Sequence, residues 1–258
     1  FHAGARVEKL MRTPDFDLSV LKEYLTAWAD HVNSFGHNQV VVKILGDIIE
    51  SWTGLNHLNV WKELDTYGVD AIYAFYDLFV ECFVRRVDNL TRIDIVSGNH
   101  DRVTISKDLD MQGEGAKLLA RMLQREFRDQ YEINWAPLYI AGIHDDIGYI
   151  AMHGDKGASK KPEGDIVIDK GFPGIFNMIL EGHLHSRKVV KPKTITYEVF
   201  EKEVAVSADT MNCRRVRVAS FFTGNTYSEN LGFSAPPGFS LFERSRNGKF
   251  PNHYDICL

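Results

Sequence analysis

Cysteine is scarce in this 258-residue sequence: Cys82, Cys213 and Cys257 stand far apart and form no CxxC pair. That excludes a disulfide framework and a zinc–thiolate site, and it fits a reducing, cytoplasmic setting, or a host cytoplasm for a phage-borne protein. No apolar run reaches the roughly 18 residues a membrane-spanning helix needs, and no signal peptide is visible. No membrane partner is therefore expected. Proline and glycine, 8 and 20 residues, gather into no linker, and no internal repeat is found. Positive charge is not in excess either. The net charge of −5 gives no global pull toward nucleic acid, so local basic residues or metals must neutralise any nucleic-acid phosphates. What is present is ordinary for a globular chain, 44% hydrophobic and 25% charged. One domain spanning residues 1–258 is expected.

Apolar periodicity predicts helices over 15–34, about 66–87 and 113–128. Leu18, Leu21, Leu25, Trp28 and Val32 line the first, and Gly36 stops it. Strands are predicted at 39–47 and 92–101, both emptying into polar loops. After residue 128 the pattern changes to short strand-like segments near 132–142, 147–153, 177–181, 187–193, 195–205, 214–221 and 238–242. Helices alternating with strands, then mostly strands, predict an α/β sandwich with one or two mixed central sheets flanked by helices. In such sheets ligands bind beyond the carboxyl ends of the strands.

Four metal-competent clusters sit at such ends: Gly46-Asp47, Gly98-Asn99-His100-Asp101, His153-Gly154 and Gly182-His183-Leu184-His185. Singly they are weak signals. Gly-His-x-His is stronger, because two imidazoles one residue apart on extended chain can face the same side. Together they offer carboxylate, amide oxygen and imidazole without thiolate. That donor set suits Mn, Fe, Zn, Co or Ni rather than Ca.

GD, GNHD, HG and GHxH, in this order after successive strands, resemble the calcineurin-like metallophosphoesterase superfamily, with its αββα sandwich. The motifs span 47–185. The resemblance implies two divalent ions, Mn first, with Fe, Zn, Ni or Mg as alternatives. It implies that Asp47 bridges them, that His2 and His185 serve one, and that Asn99, His153 and His183 serve the other. His2 is taken as the histidine of the family's Asp-x-His, so an Asp is expected directly before Phe1; the alternative is a first metal site one ligand short. The resemblance further implies attack on phosphorus by a metal-bridging hydroxide. His100 would act on the leaving group and Asp101 would orient His100.

Other residues have duller readings beside sharper ones. His31, His37, His57 and His253 lack metal-like context. His144-Asp145-Asp146 reads better as a polar hairpin turn than as a hydrolase dipeptide. Glu50 reads equally as an acceptor or substrate contact near the site and as an acid at a helix start, and Cys82 reads as core. Arg102, Lys156, Lys160, Lys161, Arg187 and Lys188 flank the metal-bearing loops, and of these Arg102 and Arg187 are the candidates for substrate phosphates. Arg215 and Arg217 would share a strand face. The aromatic stretch 221–239 reads as a recognition loop, a dimer contact or closure of the core.

Within the superfamily, GHLHS and the compact length look most like SbcD-type and phage DNA exonucleases. The expected function is a nuclease or phosphodiesterase acting on DNA, alone or as a homo-oligomer. The alternative is a phosphatase or phosphodiesterase for small nucleotides or phosphoproteins. A third class is a non-catalytic binding module that keeps the fold.

Overall fold

The computed structural model describes residues 1–54, 60–104, 109–110, 112–155, 160–183, 188–190, 195–199, 202–206, 212–232, 235–244 and 250–258, with backbone alone at 60–61, 188–190, 195–199 and 202–206. Helix α1 (Leu18–Ser34) begins at Asp17, whose carboxylate accepts from the amides of Ser19 and Val20. Such a cap satisfies amides that the first helical turn leaves without partners. Its spaced residues Leu21, Leu25, Ala29 and Val32 are buried. Helix α2 (Gly68–Phe79) runs on through a π turn at Val80–Val84, so Phe75, Phe79 and Phe83 form one stacked column with centroids 5.4 and 5.3 Å apart. Trp28 of α1 stacks on Phe83 at 3.8 Å. With α3 (Glu114–Phe127) these helices share one core with strands β1 (Val40–Ile44), β2 (Leu90–Val96) and β3 (Glu132–Ala136), a parallel sheet in that order.

The second sheet is mixed. Strands β4 (Tyr139–His144), β5 (Ile147–Met152), β6 (Phe176–Glu181), β7 (Lys188–Val190) and β10 (Cys213–Arg217) lie in the order β4-β5-β6-β10-β7. The two sheets meet through Leu45, Val96 and Ala136 on one side and Ile140, Tyr149, Ala151, Met178 and Leu180 on the other. Helix α4 (Glu163–Lys170) closes the far face of the second sheet through Ile166 and Val167 against Ile150, Ile179 and Cys213. The layers are therefore helix, sheet, sheet, helix, the expected αββα architecture. Strands β8 (Ile195–Val199) and β9 (Lys202–Val206) pair as a hairpin. After the short helix α5 (Thr226–Asn230), β11 (Gly238–Glu243) pairs with β12 (Asn252–Cys257).

Several elements differ from expectation. The predicted strand 132–142 is two strands in different sheets, because Pro137, which has no amide to give a ladder, lies between them. The predicted strand 195–205 is likewise a hairpin, and α4 and β12 carried no periodicity strong enough to announce them. The turn at 144–146 is as read: Asp145 and Asp146 both take positive φ, 49° and 64°, closing the β4–β5 hairpin. The aromatic stretch closes the core, with Phe221, Phe222 and Phe239 buried. Among the described residues no helix is long and apolar enough to cross a membrane.

One polar cluster lies inside the sheet–sheet contact. Lys43 and Asp94 are register partners across β1 and β2, joined Nζ to Oδ2 at 2.8 Å. The second Asp94 oxygen accepts from Arg92 Nε at 2.8 Å and Asn134 Nδ2 at 3.1 Å. Lys43 Nζ also stands 3.1 Å from the centre of the Tyr149 ring. Burial brings the Lys43 pKa down to about 8, against the pull of Asp94.

Candidate metal centre

The GD, GNHD, HG and GH loops meet where β1, β2, β5 and β6 end. Gly46 and Gly98 make the approach possible. A Cβ on Gly46 would stand 2.8 Å from His153 Nδ1, and one on Gly98 would overlap the Asp47 amide and carboxylate. The amide of Gly182 donates to His153 O at 3.0 Å, drawing the GH loop onto the HG loop. His2, Asp47 and His183 all adopt positive φ, 53°, 50° and 61°. Side-chain-bearing residues rarely take this backbone, and where they do the surroundings must enforce it.

Asp47, only 3% exposed, is the hub. Its Oδ1 accepts from the His100 amide at 2.9 Å. Its Oδ2 faces His153 Nε2 at 3.1 Å and His2 Nε2 at 3.7 Å. Asn99 Oδ1 lies 3.0 Å from the same His153 Nε2. His183 stands beside His153, ring centres 5.0 Å apart. Asp47, His153 and His183 place one donor atom each close enough to share a cation. A second such group is His2, Glu50 and His100, with His2 Nε2 3.7 Å from the same Asp47 Oδ2.

Proton placement decides what these groups can bind. His153 Nδ1 is 2.6 Å from the carbonyl of Leu45, which can only accept, so the proton sits on Nδ1. Nε2 of a neutral His153 is then a lone pair facing two further acceptors, Asp47 Oδ2 and Asn99 Oδ1. Lone pairs converging in a buried space require a cation between them, a second proton or a metal. The titration behaviour agrees. Burial favours neutral His153, yet Asp47 raises its pKa to about 9. Burial likewise works to raise Asp47, but the imidazoles of His153, His100 and His2 outweigh it and hold it well below the usual carboxylate range. His183 is shifted down by burial and by His153, which keeps its imidazole neutral and able to ligate. These residues fit a divalent ion bound by nitrogen and oxygen.

The structure assembles His2, Asp47, Asn99, His100, His153 and His183 in one place. His185 and Arg187 lie outside the described residues, as do His57 and Lys156. One expectation needs correction. Asp101 does not orient His100. It is fully buried, with Oδ1 accepting from Ile48 N at 2.8 Å and Oδ2 from Gly98 N at 2.7 Å. Following the loop histidine, it turns back under the loop and ties the two glycine turns together. The ring of His100 is held instead by the carbonyl of Glu50, 2.6 Å from Nδ1. Arg102, the candidate for a substrate phosphate, holds Asp155 Oδ2 through Nη2 at 2.9 Å and so clips the GNHD loop to the HG loop.

Sequence reasoning missed the Leu45 carbonyl and Phe222, whose ring packs on His2 at 4.5 Å. The density of aromatics at 221–239 was the only signal for the latter. His31 bonds the Ala27 carbonyl, His37 faces Glu243 and His253 faces Asp255, all away from the centre. Arg215 is bound by Glu181 and Glu163. A cavity of about 650 Å³ between the sheets is lined by His2, Asp47, His153 and His183, and also by Lys43 and Tyr149.

No protein-family model matches the chain, and no curated protein sequence does. Among solved structures, a single-mutant form of Vps29 from Entamoeba histolytica is similar over 90% of this chain and 88% of its own, at 14% identity and a TM-score of 0.36. A double-mutant form of the same protein is similar over 66% and 83%, at 11% identity and a TM-score of 0.29. Likenesses this distant decide nothing about chemistry, which rests on the residues themselves.

Proposed function

We propose that the protein is a metal-dependent phosphoester hydrolase acting on phosphodiesters, with DNA as its substrate. The observation that carries the reading is the convergence of Asp47, Asn99, His153 and His183 with acceptor atoms facing one another. The ordered GD, GNHD, HG and GHxH motifs support the same reading, including its finer form, an SbcD-like nuclease. His2 and Asp47 would hold a first ion, joined by His185. Asp47, Asn99, His153 and His183 would hold the second. Bound there, divalent ions, with Mn first, supply Lewis acidity, a lowered water pKa and neutralisation of phosphate charge.

The chain's own residues supply the rest. His100 is fixed by two main-chain contacts, its amide on Asp47 Oδ1 and its Nδ1–H on Glu50 O. That leaves Nε2 as the atom able to carry a proton to a leaving oxygen. Burial disfavours the imidazolium, but Asp47 and Glu50 outweigh it, so the His100 pKa is raised above the ordinary imidazole value. Asp101 and the Arg102–Asp155 clip hold the loops in register.

The test is degradation of single- and double-stranded DNA with Mn, Mg, Ni and Zn, for the native chain and His100→Ala. Metal-dependent degradation that disappears in the variant is expected. Hydrolysis of bis-p-nitrophenyl phosphate over p-nitrophenyl phosphate should accompany it. Intact DNA in excess Mn, alongside good turnover of the small diester, would move the substrate to small nucleotides. Preference for the monoester would favour a phosphatase.

A further inference from the structure

We infer that Glu50 is a positioning residue for two histidines at once: His2 through its carboxylate and His100 through its main-chain carbonyl. The inference rests on the metal-dependent reading of the site and names a residue that fixes both the metal-facing and the substrate-facing imidazole.

Glu50 is 2% exposed and belongs to neither a helix nor a sheet strand. Its Oε2 lies 2.6 Å from His2 Nδ1, and its carbonyl oxygen lies 2.6 Å from His100 Nδ1. Its own amide donates to Ala3 O at 3.0 Å, which pins the Glu50 backbone to the segment carrying His2. The two imidazoles meet edge to face, centres 4.7 Å apart, and Phe222 backs His2 from another side.

The carbonyl can only accept, and the carboxylate, when ionised in mildly alkaline buffer, accepts as well, so each ring then keeps its proton on Nδ1. In the neutral form of each ring Nε2 is then the lone-pair atom. For His2 that atom points at Asp47 Oδ2, 3.7 Å away, a gap suited to an ion held by both. A carboxylate behind a ligating imidazole fixes its tautomer and raises its basicity, and removing such a partner typically costs about 10–100-fold in metal affinity. The two arms differ in one useful respect. Substitution removes the carboxylate arm, whereas the carbonyl arm survives any side chain. Glu50→Ala should therefore release His2 and leave His100 held. Glu50→Gln, whose amide oxygen still accepts, should hold both.

The experiment combines long-range ¹⁵N–¹H spectra of the histidine rings in metal-free protein, in mildly alkaline buffer, with Mn²⁺ titration. In the native chain His2 and His100 should both carry the proton on Nδ1. Glu50→Ala should shift His2 toward the Nε2–H form and weaken Mn²⁺ binding about 10–100-fold, with the His100 tautomer unchanged. Glu50→Gln should restore the His2 tautomer, which separates loss of the acceptor from general damage to the loop. An Nε2–H form of His2 in the native chain would overturn the inference. So would a Glu50→Ala protein with unchanged His2 tautomer and Mn²⁺ affinity, or one in which His100 shifts together with His2. If the tautomers respond as expected while the native chain binds no Mn²⁺, the positioning role stands and the hydrolase reading fails.

Discussion

Two buried polar clusters share the space between the sheets, four residues apart along one stretch of chain, and they are built on opposite principles. Around Asp94 every acceptor meets a donor: Lys43, Arg92 and Asn134 converge on one carboxylate. Around Asp47 the acceptors Asp47 Oδ2 and Asn99 Oδ1 converge on one imidazole atom, His153 Nε2, where either a proton or a metal ion must lie between them. The first cluster is complete within the protein and serves the fold. The second takes its positive charge from protonated imidazole, and its donor atoms could hold a metal ion in that proton's place. A buried group whose partners are missing costs far more than one whose partners are present. The second arrangement therefore needs a cation between its acceptors, a proton on His153 or a metal.

The largest expected effect comes from Asp47→Asn, which removes the charge that draws a cation. Turnover of bis-p-nitrophenyl phosphate should fall by more than about 100-fold, beyond the range typical of partners outside a ligand set. The metal-free variant should remain folded at a lower melting temperature, since a carboxylate held well below its usual range stabilises the fold. Steady-state kinetics beside a thermal melt checks both, and retained turnover would erase the contrast drawn above. Next comes Asp94→Ala, which leaves Lys43 buried without its carboxylate. Breaking such a pair destabilises by about 3–5 kcal/mol, readable in urea unfolding, while Mn²⁺ affinity should hold.

The smallest effect is a slope in pH. Lys43 titrates at about 8 in the fold against 10.5 in the ordinary range. Between those values the unfolded chain keeps a proton that the folded chain has released, so stability rises with pH across that window. Lys43→Met should remove that rise, and because Arg92 and Asn134 still satisfy Asp94, it should destabilise less than Asp94→Ala. Urea midpoints measured across the window for both chains would show it.

The contrast between the clusters was partly visible in the chain itself. Strands ending in Gly-Asp, Gly-Asn-His-Asp and His-Gly were legible because β-branched runs and glycine both leave local marks. So was the layer order, from helices giving way to strands. The Asp94 cluster left a mark that went unread: Lys43 is a single charge inside an apolar run, and Asp94 stands between isoleucines two residues after Arg92, the pattern of two strands exchanging a buried pair. Other features had no local mark at all. Asp101 turns under its loop rather than toward His100 because of backbone it meets only after folding. Glu50, three residues after Asp47, reads the same whether it starts a helix or holds two histidines. Pro137 was visible, but its consequence, a change of sheet between β3 and β4, depends on where the second sheet packs.

The most direct test of the account is a count of divalent ions. Native protein dialysed against Mn²⁺ should retain at least one ion per chain by elemental analysis, with His153→Ala losing the ion that Asp47, His153 and His183 hold. Less than one ion in the native chain, or equal content in native and variant, would contradict the claim that the Asp47 cluster exists to be completed by a metal.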